Sequence, residues 1–271
     1  MVETLKAIFL GIVQGLTEFL PVSSSAHLNI FPWLFNWEIE SMDFALHTGT
    51  LLAILVYFFK DWIAIICGGY KAAVKRENTV EGRIFWYLVI ATIPAGLIGM
   101  LLEKIVDGAL EGKSNTEMIV ISLALIIMGV VLYIVDKNAK STVPFKKINF
   151  KQAMAIGLSQ IIAAALPGVS RSGITMTVSR SLGVDRESSA KFSFFLSAPI
   201  IAGGVIYTLL FNPEEFNFGL PLLFGVLASF ISGLFVIKFL LAFLKKGSYK
   251  AFAIYRIVFG VIIIAFALIR M

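Results

Sequence analysis

Charge and cysteine are both scarce in this chain of 271 residues. Only 15% of the residues are charged and 58% are hydrophobic, whereas soluble globular proteins have about 25% and roughly 45–50%. Several apolar runs approach or exceed the roughly 17–25 residues that cross a bilayer. The composition therefore excludes an ordinary soluble domain and predicts a helical membrane protein. The single cysteine, Cys67, excludes an internal disulfide.

The net charge of +6 does not indicate a nucleic-acid partner. Lysine and arginine stand in short loops between apolar runs, where they act as topology signals. The N-terminus has no basic segment before its first apolar run, so we expect no cleavable signal peptide. The expected partners are membrane lipids, and a homodimer is an open expectation.

Six apolar runs have the length of membrane spans, and two shorter, broken runs accompany them. One short arm covers residues 7–20 and another covers residues 28–37, with a Pro/Ser turn between them. Such a pair is typical of a re-entrant hairpin. The pattern recurs with arms at residues 152–166 and 174–183. The predicted spans are residues 44–67, 84–102, 118–135, 192–211, 218–244 and 251–270.

The two halves of the chain, about 1–136 and 150–271, have the pattern of a repeat. Among other matches, a shift of 146 residues places Ser24 on Ser170. A hairpin returns to its own side and three spans cross an odd number of times, so the second half is predicted to be inverted, as in many transporters. We predict an all-α fold in a single membrane domain over residues 1–271, with six transmembrane helices and two re-entrant hairpins in an inverted-topology repeat.

Loop charges predict the orientation of this fold. Loops 70–83, 136–151 and 245–250 carry twelve lysines and arginines, whereas loops 103–117 and 212–217 carry six acids and two lysines. The basic side is expected to face the cytoplasm. Both termini and the mouth of the first hairpin would then face outward, and the second hairpin would enter from the cytoplasmic side. The two turns can meet inside the cell membrane.

The first turn concentrates polar side chains in an apolar stretch. Glu18 ends the first arm, three consecutive serines follow as Ser23, Ser24 and Ser25, and His27 lies just beyond. A helix N-terminus has unpaired N–H groups and partial positive charge, so a phosphate fits there. Ser24 and His27 share a face of such a helix, which gives a hydroxyl beside a possible base. The alternative is that the serines only cap a helix.

Arg171 is the central residue of the second turn. A guanidinium at membrane depth is costly and is usually functional, and its fork fits two phosphate oxygens. Ser170, Ser172 and Gly173 add backbone donors around it. The alternative is a structural ion pair between Arg171 and Glu18.

Other polar side chains have more than one interpretation. Glu18 could hold a divalent cation, act as a base, or reach lipid headgroups. His47 could line the same cavity, but we favour a packing role. Arg256 is expected to snorkel or to pair within the bundle. Residues 185–187 have the composition of a solvated turn with helix-start acids.

Two motifs resemble the signatures of a known family. Residues 15–27 (GLTEFLPVSSSAH) and 167–173 (PGVSRSG) are similar to those of the undecaprenyl-diphosphate phosphatases of the bacitracin-resistance type, with further similarity at residues 192–199 and 253–256. The resemblance implies hydrolysis of a polyprenyl diphosphate to the monophosphate and inorganic phosphate. This would occur at the outer face of the membrane and recycle the lipid carrier for cell-envelope glycan synthesis.

The resemblance also implies roles for individual residues. Ser24 would be the nucleophile, His27 its acid–base partner, Glu18 the metal ligand or base, and Arg171 the phosphate clamp, with Mg²⁺ or Ca²⁺ as the cation. The family's first motif commonly begins with Glu where this chain has Gln14. This leaves two alternatives, a cation held by Glu18 alone or one carried largely by the substrate phosphates. The expected substrate-binding residues are Ser23, Ser25, Ser170, Ser172, Gly173 and Gln14.

A polyprenyl-phosphate flippase is the alternative function. It would also use an anion site at mid-membrane in an inverted repeat. Purified protein in detergent has no membrane to cross, so release of inorganic phosphate there distinguishes a phosphatase from a flippase.

Overall fold

The computed structural model describes residues 1–37, 42–107, 114–213, 216 and 219–271, with only the backbone for Asp43 and residues 103–107. Parts of both acidic loops lie outside these ranges. Every named element within them is helical. The α-helices are α1 (Val2–Phe19), α2 (Ser24–Phe35), α3 (Asp43–Tyr57), α4 (Phe59–Tyr70), α5 (Val80–Asp107), α6 (Asn115–Asn138), α7 (Phe150–Leu158), α8 (Gln160–Ala165), α9 (Arg171–Ser181), α10 (Arg186–Phe211), α11 (Leu220–Leu244) and α12 (Lys250–Ile269).

Within the described residues, five helices are long and apolar enough to cross a membrane: α5, α6, α10, α11 and α12. The predicted all-helical membrane protein is therefore confirmed. The span predicted at residues 44–67 is bent, because α3 and α4 meet at an angle of 78°. The number of candidate spans reaches six only if this pair counts as one.

The bend between α3 and α4 is held by contacts with α10. Phe58, at the bend, is buried, and its ring centroid lies 5.1 Å from that of Phe195. Asp61 in the first turn of α4 accepts a hydrogen bond from Lys191 Nζ at 2.7 Å. Residues 54–62 contain neither proline nor glycine, so tertiary contacts rather than a local helix breaker account for the bend.

Each predicted hairpin packs against a long helix from the other half of the chain. The first, formed by α1 and α2, packs through α1 on α11, and the second, formed by α7, α8 and α9, packs through α7 and α8 on α5. The first arm of the second hairpin is broken into α7 and α8 at Ser159, whose hydroxyl donates to the Ile156 carbonyl at 2.6 Å. Small residues make the α1–α11 contact close. A Cβ at Gly15 would lie 2.4 Å from the Ser229 carbonyl oxygen.

We expect Gly15→Ala to destabilise the protein, because its methyl group would overlap backbone atoms of α11. Overpacking a tight interior typically costs about 1–3 kcal/mol. Gly203 in α10 is a matched control, since a Cβ there would have no heavy atom within 4 Å, and alanine is the better helix former. Thermal unfolding of both variants in one detergent measures the difference. Equal midpoints for the two variants would contradict this packing.

A buried ionic cluster joins α6, α9, α10 and α12. Asp136 Oδ1 accepts from Arg180 Nε and from Arg186 Nε, each at 2.8 Å, and Asp136 Oδ2 accepts from the Tyr249 N–H at 3.1 Å. The prediction of a solvated turn at residues 185–187 is therefore wrong for Arg186, because its side chain binds the buried carboxylate of Asp136 on α6. Asp185 caps α10 as a helix-start acid, which confirms that part of the prediction.

Candidate active site

The turns that precede α2 and α9 have the same local shape. Ser23 has φ 75° and Ser170 has φ 73°, a region that few residues other than glycine adopt. Each is an N-cap whose Oγ accepts from the N–H three residues later, at 3.3 Å and 3.0 Å respectively. In each turn the residue two positions after the cap is a serine, Ser25 or Ser172, whose Oγ lies 3.2 Å from the cap Oγ.

This likeness corrects the alignment of the two turns by one residue. Gly168, at φ 90°, is an extra residue in the second turn. The local shift is therefore 147 (from 23 to 170), and Ser23 corresponds to Ser170. Ser24, which the shift of 146 paired with Ser170, corresponds instead to Arg171. Each is the first residue of its helix.

The side chains of these two first residues meet at Glu18. Its buried carboxylate accepts from Ser24 Oγ at 2.7 Å through Oε2 and from Arg171 Nη2 through Oε1. Gln14, also buried, donates from Nε2 to Oε2 at 3.1 Å, and His47 Nε2 lies 3.3 Å from the same oxygen. The predicted contact between the two turns is confirmed, with a hydroxyl and a guanidinium on one carboxylate.

His27 belongs to a different set of contacts. Its Nδ1 lies 2.7 Å from the backbone carbonyl of Ser23, which can only accept. We therefore assign the proton to Nδ1, and Nε2 accepts from the Tyr255 hydroxyl at 2.7 Å. The structure does not contain the predicted Ser24–His27 pair, because Ser24 turns back to Glu18 on α1 whereas His27 faces α12.

The backbones of the two turns are joined by two side chains. Ser172 Oγ donates to the Leu20 carbonyl at 2.9 Å. Arg256 donates to the carbonyls of Pro21 at 3.1 Å and Gly168 at 3.0 Å. Of the two expectations for Arg256, snorkelling and pairing within the bundle, the structure shows the second, and the partners are backbone oxygens.

Comparisons with known proteins identify the family. The family model described as Bacitracin resistance protein BacA matches residues 7–262. The chain belongs to the BacA family. Proteins named undecaprenyl-diphosphatase from Caldicellulosiruptor bescii and Desulforudis audaxviator are each 46% identical to it, with 98% of both chains covered. One from Myxococcus xanthus is 36% identical, with 96% of this chain and 88% of its own covered. The family expected from the two motifs is confirmed.

The remaining expected binding residues of this BacA-family chain are mainly turn-forming groups. Ser23 and Ser170 are buried caps, and the N–H of Gly173 already donates to Ser170 Oγ. The side chain of Ser25 is exposed. A diphosphate at this site would therefore meet Ser24, Ser25 and Arg171 before it met the caps.

Sequence reasoning underestimated two residues at this site. We favoured packing for His47, yet its Nε2 lies beside the Glu18 carboxylate. Tyr255 received no role, yet its hydroxyl is the partner of His27. Both residues come from helices distant in sequence, so no local pattern indicates these contacts.

The protein side chains that could bind a cation at this site are few, and they fit a cation shared with the substrate better than one held by protein ligands alone. In the described part of the chain, no group of three or more His, Cys, Asp or Glu could hold a metal ion. Among the side chains that the structure describes, Glu18 is the only carboxylate at the site, and Arg171 already binds it. Gln14 Oε1 is buried without a hydrogen-bond partner, which leaves one free oxygen ligand. Magnesium commonly takes its other ligands from phosphates and water.

Proposed function

We propose that this protein is an undecaprenyl-diphosphatase, which hydrolyses undecaprenyl or a similar polyprenyl diphosphate to the monophosphate and inorganic phosphate. The observation that carries the proposal is the meeting of Ser24 and Arg171 on the buried Glu18 carboxylate, at the N-termini of two helices. A nucleophile, a base and an anion-binding group are thereby within reach of one headgroup. The names of the relatives support the choice of substrate.

The reaction uses two displacements at the terminal phosphorus. Ser24 Oγ attacks in line while its proton passes to Glu18, 2.7 Å away. The bond from phosphorus to the bridging oxygen breaks, and the polyprenyl monophosphate leaves. Glu18 releases the Ser24 proton to solvent before the second displacement. Water then attacks the phosphoserine and gives a proton to Glu18, which returns it to Ser24 Oγ as the bond from phosphorus to that oxygen breaks, so inorganic phosphate and the free Ser24 hydroxyl result. Arg171 binds the phosphate oxygens, as its fork geometry allows.

A divalent cation, Mg²⁺ or Ca²⁺, would be bound by Glu18, by Gln14 Oε1 and by the phosphates themselves. Its charge would reduce the negative charge of the headgroup. Glu18 would then serve the cation as well as the proton of Ser24.

We propose further that the two halves are inverted and that the site opens to the outer face, with both termini outside. The matching turns and the packing of each hairpin on the other half support the inversion. The basic loops support the orientation. The monophosphate formed there would return to cell-envelope glycan synthesis. A cysteine introduced at residue 271 that resists a membrane-impermeant thiol reagent in intact cells would contradict this orientation.

We expect the purified protein in detergent to release inorganic phosphate from a polyprenyl diphosphate, without any membrane to cross. A chelator should lower the rate, and Gln14→Glu should bind the cation more tightly and tolerate more chelator, because it supplies a second carboxylate. A malachite green phosphate assay over a chelator titration measures both. Absence of phosphate release from the folded wild type would overturn the proposed function.

A further inference from the structure

Arg256 is a buried arginine whose hydrogen-bond partners are all backbone oxygens. Its side chain is 0% exposed. It donates to the carbonyls of Leu125 at 3.1 Å, Pro21 at 3.1 Å, Gly168 at 3.0 Å and Val169 at 2.9 Å. Three of these four carbonyls belong to the two turns of the active site. No carboxylate among the described residues forms an ion pair with it.

Arg180 is a second buried arginine, but unlike Arg256 it has a carboxylate partner. It is also 0% exposed, and Asp136 accepts from its Nε at 2.8 Å, so its charge has a counter-ion within the protein, which it shares with Arg186. An unpaired buried charge is costly. Carbonyl dipoles offset part of that cost for Arg256, but among the described residues its positive charge has no counter-ion.

The guanidinium lies directly against the first turn of α9. A Cβ at Gly173 would be 2.6 Å from Arg256 Nη1, so only a glycine leaves room for it there. On its other side the guanidinium contacts the Pro21 carbonyl, in the turn that precedes α2. It is thus held between the turns that carry Ser24 and Arg171, beside two helix N-termini that already favour an anion.

We infer that Arg256 is a positioning residue for the diphosphate: it fixes the two turns to each other, and its uncompensated positive charge adds to the field that attracts the headgroup. The inference rests on the proposed function, because the missing counter-charge is supplied by the substrate. It assigns two separable properties to one side chain. Hydrogen-bond geometry aligns Ser24 and Arg171, and charge contributes to anion affinity.

Two substitutions separate these properties. Arg256→Met removes both, so the dissociation constant for inorganic diphosphate should rise at least about tenfold and kcat should fall. Arg256→Lys keeps the charge but has fewer, differently arranged donors, so diphosphate affinity should stay within about threefold of wild type while kcat falls at least about tenfold. Calorimetry with inorganic diphosphate and phosphate release from a polyprenyl diphosphate, both in detergent, give the two quantities.

Arg180→Met is the matched control, because it removes another fully buried arginine. Arg180 lies nine positions after Arg171 on α9, which is about 13 Å along the helix at a rise of 1.5 Å per residue. We expect a lower melting temperature and an unchanged diphosphate affinity. An equal loss of affinity in Arg180→Met and Arg256→Met would mean that only stability had been measured, and would overturn the inference.

Gly173→Ala tests the hydrogen-bond geometry of Arg256 without altering any charge. Its methyl group should displace Arg256 Nη1, so kcat should fall while diphosphate affinity is kept, as for Arg256→Lys. If Arg256→Met does not fold, Arg256→Lys and Gly173→Ala test the inference instead, and loss of diphosphate affinity in both overturns it. Wild-type affinity in Arg256→Met overturns it directly. A wild type that neither binds diphosphate nor releases phosphate contradicts the proposed function instead.

Discussion

Ser24→Ala is expected to lower phosphate release at least about a thousandfold, because it removes the attacking oxygen of a covalent mechanism. The hydroxyl is well placed for this role: Glu18 Oε2 accepts its hydrogen bond at 2.7 Å, and the side chain is partly exposed. The fold should be unaffected, since Ser23 rather than Ser24 caps α2. Steady-state phosphate release and thermal unfolding of the same preparation separate activity from stability.

Ser181→Ala is the control for this substitution, because Ser181 is an exposed serine near the end of α9 whose hydroxyl donates only to a local carbonyl. It should retain the wild-type rate. Wild-type protein quenched in acid during turnover should carry phosphate on Ser24, detectable by mass spectrometry of the peptide. Substantial turnover by Ser24→Ala would mean that Glu18 activates water for direct attack, and the phosphoserine step would then be discarded.

The sequence predicts the broad fold and the two turns because both depend on local signals. Long apolar runs indicate the spans, and proline followed by serines marks each turn. The bend at Phe58 has no such signal. It depends on Phe195 and Lys191 of α10, about 135 residues away in the chain. The break at Ser159 is not predicted either, since Ser159 lies inside the short arm predicted at residues 152–166, with apolar residues on both sides of the Ser159–Gln160 pair.

The sequence predicts most of the side chains that meet at Glu18, but not their pairing. Helical spacing placed Ser24 and His27 on one face, whereas the structure directs Ser24 to Glu18. The direction in which the first side chain of α2 points depends on the positive φ of Ser23, at 75°, and nothing in a run of three serines indicates which one adopts it. The partner of His27, Tyr255, lies 228 positions away.

For the buried charged residues too, the pairing depends on tertiary structure and not on local sequence. Asp136 and Arg186 lie just outside predicted spans, where they resemble ordinary loop charges, and Arg180 lies near the end of a predicted hairpin arm. Only the packing of four helices places them in one cluster. For Arg256 the sequence leaves snorkelling and pairing within the bundle open, because an arginine inside an apolar helix must do one or the other. Its carbonyl partners come from three separate segments, so they depend on tertiary structure.

Glu18→Gln is expected to lower kcat by about 10²–10⁴-fold, the usual contribution of a general base. A glutamine can still accept the Ser24 hydrogen bond, but it cannot take the proton as Ser24 attacks. Arg171 would lose the carboxylate that competes with the phosphate for its guanidinium. The affinity for inorganic diphosphate in the absence of a cation should therefore be kept or raised while kcat falls. Calorimetry and single-turnover phosphate release distinguish these effects.

Asp136→Asn is the control, because Asp136 is, among the described residues, the other buried carboxylate that binds arginine, and it lies in a separate cluster. Removing its charge should lower the thermal midpoint, since Arg180 would remain buried with a weaker partner, but kcat of the folded protein should stay close to wild type. A wild-type kcat in Glu18→Gln would show that the proton leaves Ser24 by another route, and His47, 3.3 Å from Glu18 Oε2, would then be the base to test. An equal loss of kcat in Asp136→Asn would mean that removing any buried carboxylate impairs turnover, and the assignment of Glu18 would fail.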